Sequence, residues 1–253
     1  MRLMFTMAGL SSRFKRDGYS KQKFMLRAGD LSLFGRILQP YLASQSLIED
    51  FIFAINKADK CYDWLQEEIG SFGINNYQIV ELNAATSGQA ETAALALNNS
   101  TGLKGTPILI TNIDTVLHDV NILHYSQQLN NCHGLIEVAD LDGDNWSFVE
   151  PVSAGSSKVK RFVEKQKISS LASTGLYGFS SSNLYIDAFN EVTSNRDKYL
   201  VNNELYISSI YQCLLQESAN IRYYVTAGKI SLAGTPMQYS QYCQQNDWGI
   251  EYP

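Results

Sequence analysis

Leu3-Met4-Phe5-Thr6-Met7-Ala8-Gly9-Leu10-Ser11-Ser12-Arg13 is the stretch on which the reading of the fold turns. Residues 3–7 form a short, almost continuously apolar run, the pattern of a central strand buried on both faces. The run ends at Ala8-Gly9, which suits a tight turn, and passes into small residues and an arginine. Working outward, similar apolar runs occur at residues 51–55, 79–82, 107–111 and 134–138. Amphipathic segments separate them. Leu33, Ile37, Leu38, Tyr41 and Leu42 recur at helical spacing, and residues 61–69 and 90–97 behave likewise. Strands alternating with helices predict an α/β fold, a mainly parallel sheet with helices on both faces. Beyond residue 139 the pattern is richer in β: residues 147–149, 158–164 and 176–179 read as strands, 183–192 and 204–217 as helices, and 221–225 as a final strand. No linker or internal repeat divides the chain, so one domain spans residues 1–253, its second half an insertion over the open edge of the first sheet.

Composition narrows the function. Of 253 residues, 45% are hydrophobic and 18% charged, which supports a large core and excludes wholesale disorder. A net charge of −5 argues against a dedicated nucleic-acid binder, and no stretch approaches the roughly 20 apolar residues that span a bilayer. The first residues place an apolar run ahead of basic ones, the reverse of a secretory leader, so a cytoplasmic protein is expected. Cys61, Cys132, Cys213 and Cys243 lack paired short spacings and read as buried or incidental thiols; His118, His124 and His133 read as structural or surface residues. Charge is concentrated in one place. Residues 13–27 carry six basic side chains against Asp17 alone, a local +5 on an otherwise acidic protein; on charge alone this is first a solvated basic surface loop, and with the residues around it a site for a polyanion such as a nucleoside triphosphate.

Open α/β sheets bind ligands beyond the carboxyl ends of their strands. The first such loop is Ala8-Gly9-Leu10-Ser11-Ser12-Arg13, where glycine admits close backbone approach, serines add hydroxyls and Arg13 adds a planar cationic fork. It is neither GxGxxG nor the GxxxxGK[ST] loop, so dinucleotide and P-loop folds are not supported. Lys23 follows ten residues after Arg13, in Lys21-Gln22-Lys23-Phe24-Met25-Leu26. A second run, residues 108–114, is an apolar strand ending in Asn112-Ile113-Asp114; a carboxylate there, facing a triphosphate, suits Mg²⁺, which favours one or two carboxylates plus phosphate oxygens and water. Asp140-Leu141-Asp142-Gly143-Asp144 is not an EF-hand, because its twelfth position is Pro151.

Taken in order, these segments resemble the sugar-phosphate nucleotidyltransferases. The loop arginine is matched by Arg13 and the signature lysine by Lys23, with Gln22 where proline is usual. Thr86-Ser87-Gly88-Gln89-Ala90-Glu91-Thr92 is similar to the family's Thr-x-Gly-x-Ala-x-Thr segment beside the nucleobase; on its residues alone it is a helix start with Thr86 or Ser87 as cap. The run from Val159 to Glu164-Lys165 resembles its Val-x-x-x-x-Glu-Lys, Thr174-Gly175-Leu176-Tyr177-Gly178-Phe179 its Thr-Gly-Leu-Tyr-x-Phe, Glu204-Leu205-Tyr206-Ile207 its Glu-x-Tyr-Ile, and Gly234-Thr235-Pro236 its Gly-Thr-Pro. Leu232 stands where relatives often carry a second metal-binding aspartate.

The resemblance implies a Rossmann-like three-layer α/β/α domain with a mostly parallel mixed sheet, residues 1–138 binding nucleotide and 139–253 the acceptor. Arg13 and Lys23 would be catalytic. Ala8, Gly9, Leu10, Ser11, Ser12, Thr86, Gly88 and Asn112 would bind nucleotide; Glu164, Lys165, Thr174, Gly175 and Glu204 would bind the acceptor; and Asp114 would hold Mg²⁺. The implied reaction transfers a nucleotidyl group from a nucleoside triphosphate to a phosphorylated sugar or similar small acceptor, releasing pyrophosphate. Compact members of the family often use CTP or another pyrimidine nucleotide for precursors of cell-surface polysaccharide, so the resemblance favours CTP. Neither nucleic acid nor membrane is a partner on this reading, and a homodimer is compatible with it. The alternatives are a metal-dependent glycosyltransferase, for which Asn112-Ile113-Asp114 stands in place of Asp-x-Asp, and a catalytically weakened nucleotide-sensing domain, suggested by Gln22 and Leu232.

Overall fold

The computed structural model describes residues 1–102 and 105–253. In chain order β1 (Arg2–Thr6) leads to α1 (Ser12–Arg16), the small ribbon β2 (Arg27–Ala28) and β3 (Leu31–Ser32), then α2 (Leu33–Leu42). Next come β4 (Asp50–Asn56), α3 (Tyr62–Ser71), β5 (Tyr77–Leu82), α4 (Gln89–Asn99), β6 (Ile108–Asn112), β7 (Thr115–Leu117) and α5 (Ile122–Leu129). The second half holds β8 (Gly134–Asp140), β9 (Ser147–Pro151), β10 (Val159–Glu164), β11 (Leu171–Phe179), α6 (Ser182–Ser194), α7 (Arg196–Tyr199), α8 (Ile207–Gln216), β12 (Ile221–Val225), β13 (Ile230–Leu232) and α9 (Pro236–Gln244). Among the described residues no helix is long and apolar enough to cross a membrane.

β5, β4, β1 and β6 lie side by side and parallel. β11 then pairs antiparallel with β6, β8 antiparallel with β11, and β12 parallel with β8. The antiparallel pair β9–β10 joins the free part of β11 where Ala172 meets Phe148. The sheet is therefore mixed and mostly parallel. The second half does not lie over the sheet edge, as the sequence suggests, but continues the sheet itself. The backbone edge of β6 would otherwise be left unpaired, and β11, buried almost throughout, satisfies it.

Because successive strand residues point to opposite faces, β1 feeds two cores. Leu3 and Phe5 enter one, with Phe34, Leu38, Tyr41 and Phe53; Met4 enters the other, with Ile52, Ala93, Ile110 and Tyr211. Ala90, Ala93, Ala94 and Ala96 are fully buried on α4, and these short side chains let that helix settle close to the strands. The helix expected over residues 204–217 starts only at Ile207. Asn202 and Asn203, at φ +50° and +64°, form a turn closed by the Val201–Glu204 bridge, which leaves Glu204 outside the helix and exposed.

Candidate active site

The parallel register sets the site. Thr6 stands opposite Asn112, so the loop after β1 and the Asn112–Asp114 turn after β6 leave adjoining strand ends on one rim. Within the first loop Ser11 takes a left-handed conformation, φ +48°, and swings the chain into α1. A Cβ at Gly9 would meet nothing within 4 Å, so the backbone there borders open space. Arg13 is exposed, and its guanidinium has no ion pair among the described residues.

Lys23 reaches the same rim from a 3₁₀ turn, Lys23–Met25, anchored by the buried Phe24 and Leu26. Gln22, where proline is usual, is buried and donates through its side-chain amide to Asp59 Oδ1, a hydrogen bond in place of a ring restraint. Lys23 Nζ donates to Asp114 Oδ2 at 2.8 Å. Burial pushes the Asp114 carboxyl up, but the Lys23 ammonium, helped by the Thr115 hydroxyl and Arg13, holds it below its ordinary value. Ala233 N–H donates to the Asp114 carbonyl at 2.8 Å, and a Cβ at Gly234 would come 3.1 Å from Asp114 Oδ2. The Gly-Thr-Pro segment thus packs directly against the carboxylate, and Leu232 pairs with Thr115 beside it.

The third wall is Thr86–Gln89. Gly88 sits at φ +137°, and a Cβ there would be 2.4 Å from the Leu205 carbonyl oxygen, so only glycine fits. Leu205 N–H donates to Ser87 O and Ala90 N–H to Leu205 O, tying this segment to the start of α8. Neither Thr86 nor Ser87 is the N-cap, as the sequence suggests; Gly88 occupies that position without a side-chain cap. Glu91 instead reaches back, accepting from Ser87 N–H at 2.5 Å and Ser87 Oγ at 2.6 Å. Gln89 Nε2 spans the two strand ends, donating to Thr6 Oγ1 at 3.0 Å and Asn112 Oδ1 at 2.5 Å.

The fourth wall comes from β10 and β11. Glu164 Oε2 accepts from Ser147 Oγ and, at 3.0 Å, from Ser208 Oγ. Burial raises its pKa more than these two serines lower it. Lys165, at φ +53°, donates through its backbone to Trp146 O and through Nζ to the Tyr206 hydroxyl. On β11 the register jumps between Ser173 and Tyr177, so three residues stand opposite Glu137 alone. In this bulge Thr174 Oγ1 donates to Glu137 Oε1 at 3.1 Å, and Gly175 has φ +93°. A Cβ at Gly175 would lie 2.4 Å from Asn112 Nδ2, so the bulge can close on the β6 end only through glycine.

These walls enclose one cleft of about 880 Å³, within the range of small-molecule sites. Every residue singled out from the sequence as catalytic, nucleotide-binding, acceptor-binding or metal-binding lines it, Glu204 included. The sequence reading omits Gln89, Ser147, Tyr206 and Gln238, which line it too. Gln89 and Tyr206 lie inside recognised segments, so position could have flagged them. Ser147 and Ser208 carry no motif, and only the fold brings both hydroxyls to Glu164.

Among the described residues no group of three or more His, Cys, Asp or Glu side chains could hold a metal ion. Among the described residues, Asp114 places a carboxylate against Lys23 and Gly234 on the rim that Gly9 also lines. That fits Mg²⁺ bound largely by phosphate oxygens and water, and does not fit a cage built from protein alone.

No protein-family model matches the chain, and no curated protein matches it either. Among solved structures it is similar to the nucleoside-diphosphate-sugar pyrophosphorylase of Vibrio cholerae RC9, at 33% identity and TM-score 0.88, over 96% of this chain and all of that one. A UDP-glucose pyrophosphorylase complexed with UDP-glucose shares the fold at 16% identity and TM-score 0.77, covering 97% of this chain and 98% of that one. The inositol-1-phosphate CTP transferase of T. maritima does so at 10% identity and TM-score 0.70, covering 99% and 97%. With one-third identity across nearly its whole length to a pyrophosphorylase of this fold, the chain belongs to the sugar-phosphate nucleotidyltransferase family and is an enzyme that transfers a nucleotidyl group.

Proposed function

We propose that the chain joins a nucleoside triphosphate, CTP by preference, to a phosphorylated sugar or similar small acceptor, releasing pyrophosphate and forming an activated precursor for cell-surface polysaccharide. The observation that carries this reading is the Lys23–Asp114 contact of 2.8 Å at the mouth of the glycine loop. It puts a cation and a carboxylate at one point on the rim, where an entering triphosphate would meet both. Residues 1–138 would bind the nucleotide and 139–253 most of the acceptor. The resemblance to compact family members supports CTP, a cytoplasmic setting and a homodimer.

On this reading an oxygen of the acceptor's phosphate attacks the α-phosphorus in line, and pyrophosphate departs. Arg13 and Lys23 neutralise charge gathering on the triphosphate, while backbone N–H groups of residues 8–12 hold its oxygens. Thr86, Gly88 and Asn112 orient the nucleoside. Glu164 accepts from a hydroxyl of the acceptor, its carboxylate aimed by Ser147 and Ser208. Lys165 meets the acceptor phosphate, and the Thr174-Gly175 bulge and Glu204 border the acceptor's body. Mg²⁺, held by Asp114, would supply further charge neutralisation at the phosphate oxygens.

A thermal-shift screen of the four ribonucleoside triphosphates with Mg²⁺, followed by sugar-1-phosphates and other phosphorylated acceptors, tests the reading. CTP should give the largest rise in melting temperature. Equal shifts from all four would remove the CTP preference, and no shift from any would remove the nucleotide site.

A further inference from the structure

The turn that carries Lys23 is gripped from behind by the chain that follows α9. Glu251 Oε1 accepts from Lys21 Nζ at 2.6 Å, and Glu251 Oε2 accepts from the Arg27 backbone N–H at 2.9 Å. One carboxylate therefore holds the turn two residues before Lys23 and four residues after it. The backbone reinforces the grip. Glu251 N–H donates to the Tyr239 hydroxyl at 3.1 Å, and that hydroxyl donates to the Arg27 carbonyl at 2.6 Å. Ile250 bridges antiparallel to Ala28, and the Trp248 ring lies 4.0 Å from the Arg36 guanidinium.

We infer that Glu251 is a positioning residue for the nucleotidyl transfer, acting through Lys23 and touching no substrate. This rests on the proposed role of Lys23. Lys23 reaches Asp114 from a short turn, and a flexible turn would spread Nζ over several positions, most of them unproductive. Fixing both ends of the turn with one carboxylate narrows that spread before substrate arrives. The Lys21–Glu251 pair is partly exposed, so its contribution to global stability is small and its effect belongs in turnover.

The test measures kcat and KM of the full chain with radiolabelled CTP, Mg²⁺ and the sugar-1-phosphate that gives the parent its highest turnover, alongside melting temperature, for Glu251→Ala, Glu251→Gln, Lys23→Ala and the double variant Lys23→Ala/Glu251→Ala. Expected are a fall of about tenfold in kcat for Glu251→Ala, an unchanged acceptor KM, a melting temperature within a few degrees of the parent, and partial recovery with glutamine, which keeps one acceptor for Arg27. The double variant should be no slower than Lys23→Ala alone. Unchanged kcat in Glu251→Ala overturns the inference, and so does a double variant slower by the full product of the single effects. Full activity in Lys23→Ala would instead overturn the proposed role of Lys23. Should Glu251→Ala fail to fold, Lys21→Ala breaks one of the two contacts and leaves the Arg27 N–H bond, so it should show a smaller kcat loss in the same direction, and unchanged kcat there overturns the inference.

Discussion

At Lys23 and Asp114 two residues 91 positions apart in the chain meet at hydrogen-bond distance because adjacent parts of the fold end on one rim. On the proposed function, Lys23 is the side chain whose removal should separate chemistry from folding. Its neighbours Gln22 and Phe24 are buried and hold the turn, whereas its own ammonium serves the cleft. Lys23→Ala should lower kcat about 10²- to 10³-fold, the usual cost of losing one charge-stabilising group, with the melting temperature preserved. Steady-state kinetics at saturating substrates check this; parent-like turnover would refute the role. Asp114→Asn keeps the shape and loses the charge, so the dependence of rate on Mg²⁺ concentration should disappear while nucleotide still binds weakly. A metal titration of activity that matches the parent's would show that Asp114 is not the ligand. Both residues are legible in the sequence because Asp114 ends an apolar run and Lys23, ten residues past Arg13, precedes one. The Ser147–Glu164–Ser208 contact is not, since isolated serines carry no spacing signal.

Elements place these residues through tight backbone contacts that depend on glycine. Gly88 has φ +137° and no room for a Cβ against Leu205, whereas Gly70, inside α3, would find nothing within 4 Å. Gly88→Ala should therefore destabilise the protein by about 2 kcal/mol or more through strain and clash. Gly70→Ala should stabilise it by about 0.5–1 kcal/mol through helix propensity. Thermal melts of the pair check both signs, and a neutral Gly88→Ala would mean that the Thr86–Gln89 segment does not pack as described. The elements themselves were unevenly legible. β1, β4, β6 and β8 announce themselves because strands buried on both faces read as apolar runs, and β5, partly exposed at the sheet edge, shows a shorter run over residues 79–82. β11 begins at Leu171, earlier than residues 176–179 suggest, because Ala172-Ser173-Thr174-Gly175 looks like loop and is strand only by pairing with β8 and β9. The union of β11 with β6 joins segments some 65 residues apart, and no local pattern reports it.

Across the whole molecule, the continuous sheet brings groups from both halves to one cleft and also buries a carboxyl that faces it only indirectly. Glu137 is 1% exposed; burial pushes its pKa up to about 7, against hydrogen bonds from Tyr224 and Thr174, with Asp119 adding repulsion. A folded pKa above the unfolded value of about 4.5 means that the native state holds the extra proton between these limits. Stability should consequently fall as pH rises from about 4.5 to 7, by roughly 3 kcal/mol from this group, and then level off. In Glu137→Gln that slope should vanish, which denaturant unfolding at pH 5 and 8 can check; equal slopes in parent and variant would contradict the assignment. Nucleotidyl transfer to a phosphorylated acceptor in this cleft can be followed as pyrophosphate when CTP, Mg²⁺ and a panel of sugar-1-phosphates and related phosphorylated acceptors are mixed with the protein. Pyrophosphate should appear only when an acceptor is present, in equal amount with a nucleotide-linked product, and should be lost in Lys23→Ala and Asp114→Asn. Release of free nucleotide from a nucleotide sugar, with no pyrophosphate from any triphosphate tried, would contradict nucleotidyl transfer and indicate glycosyl transfer instead.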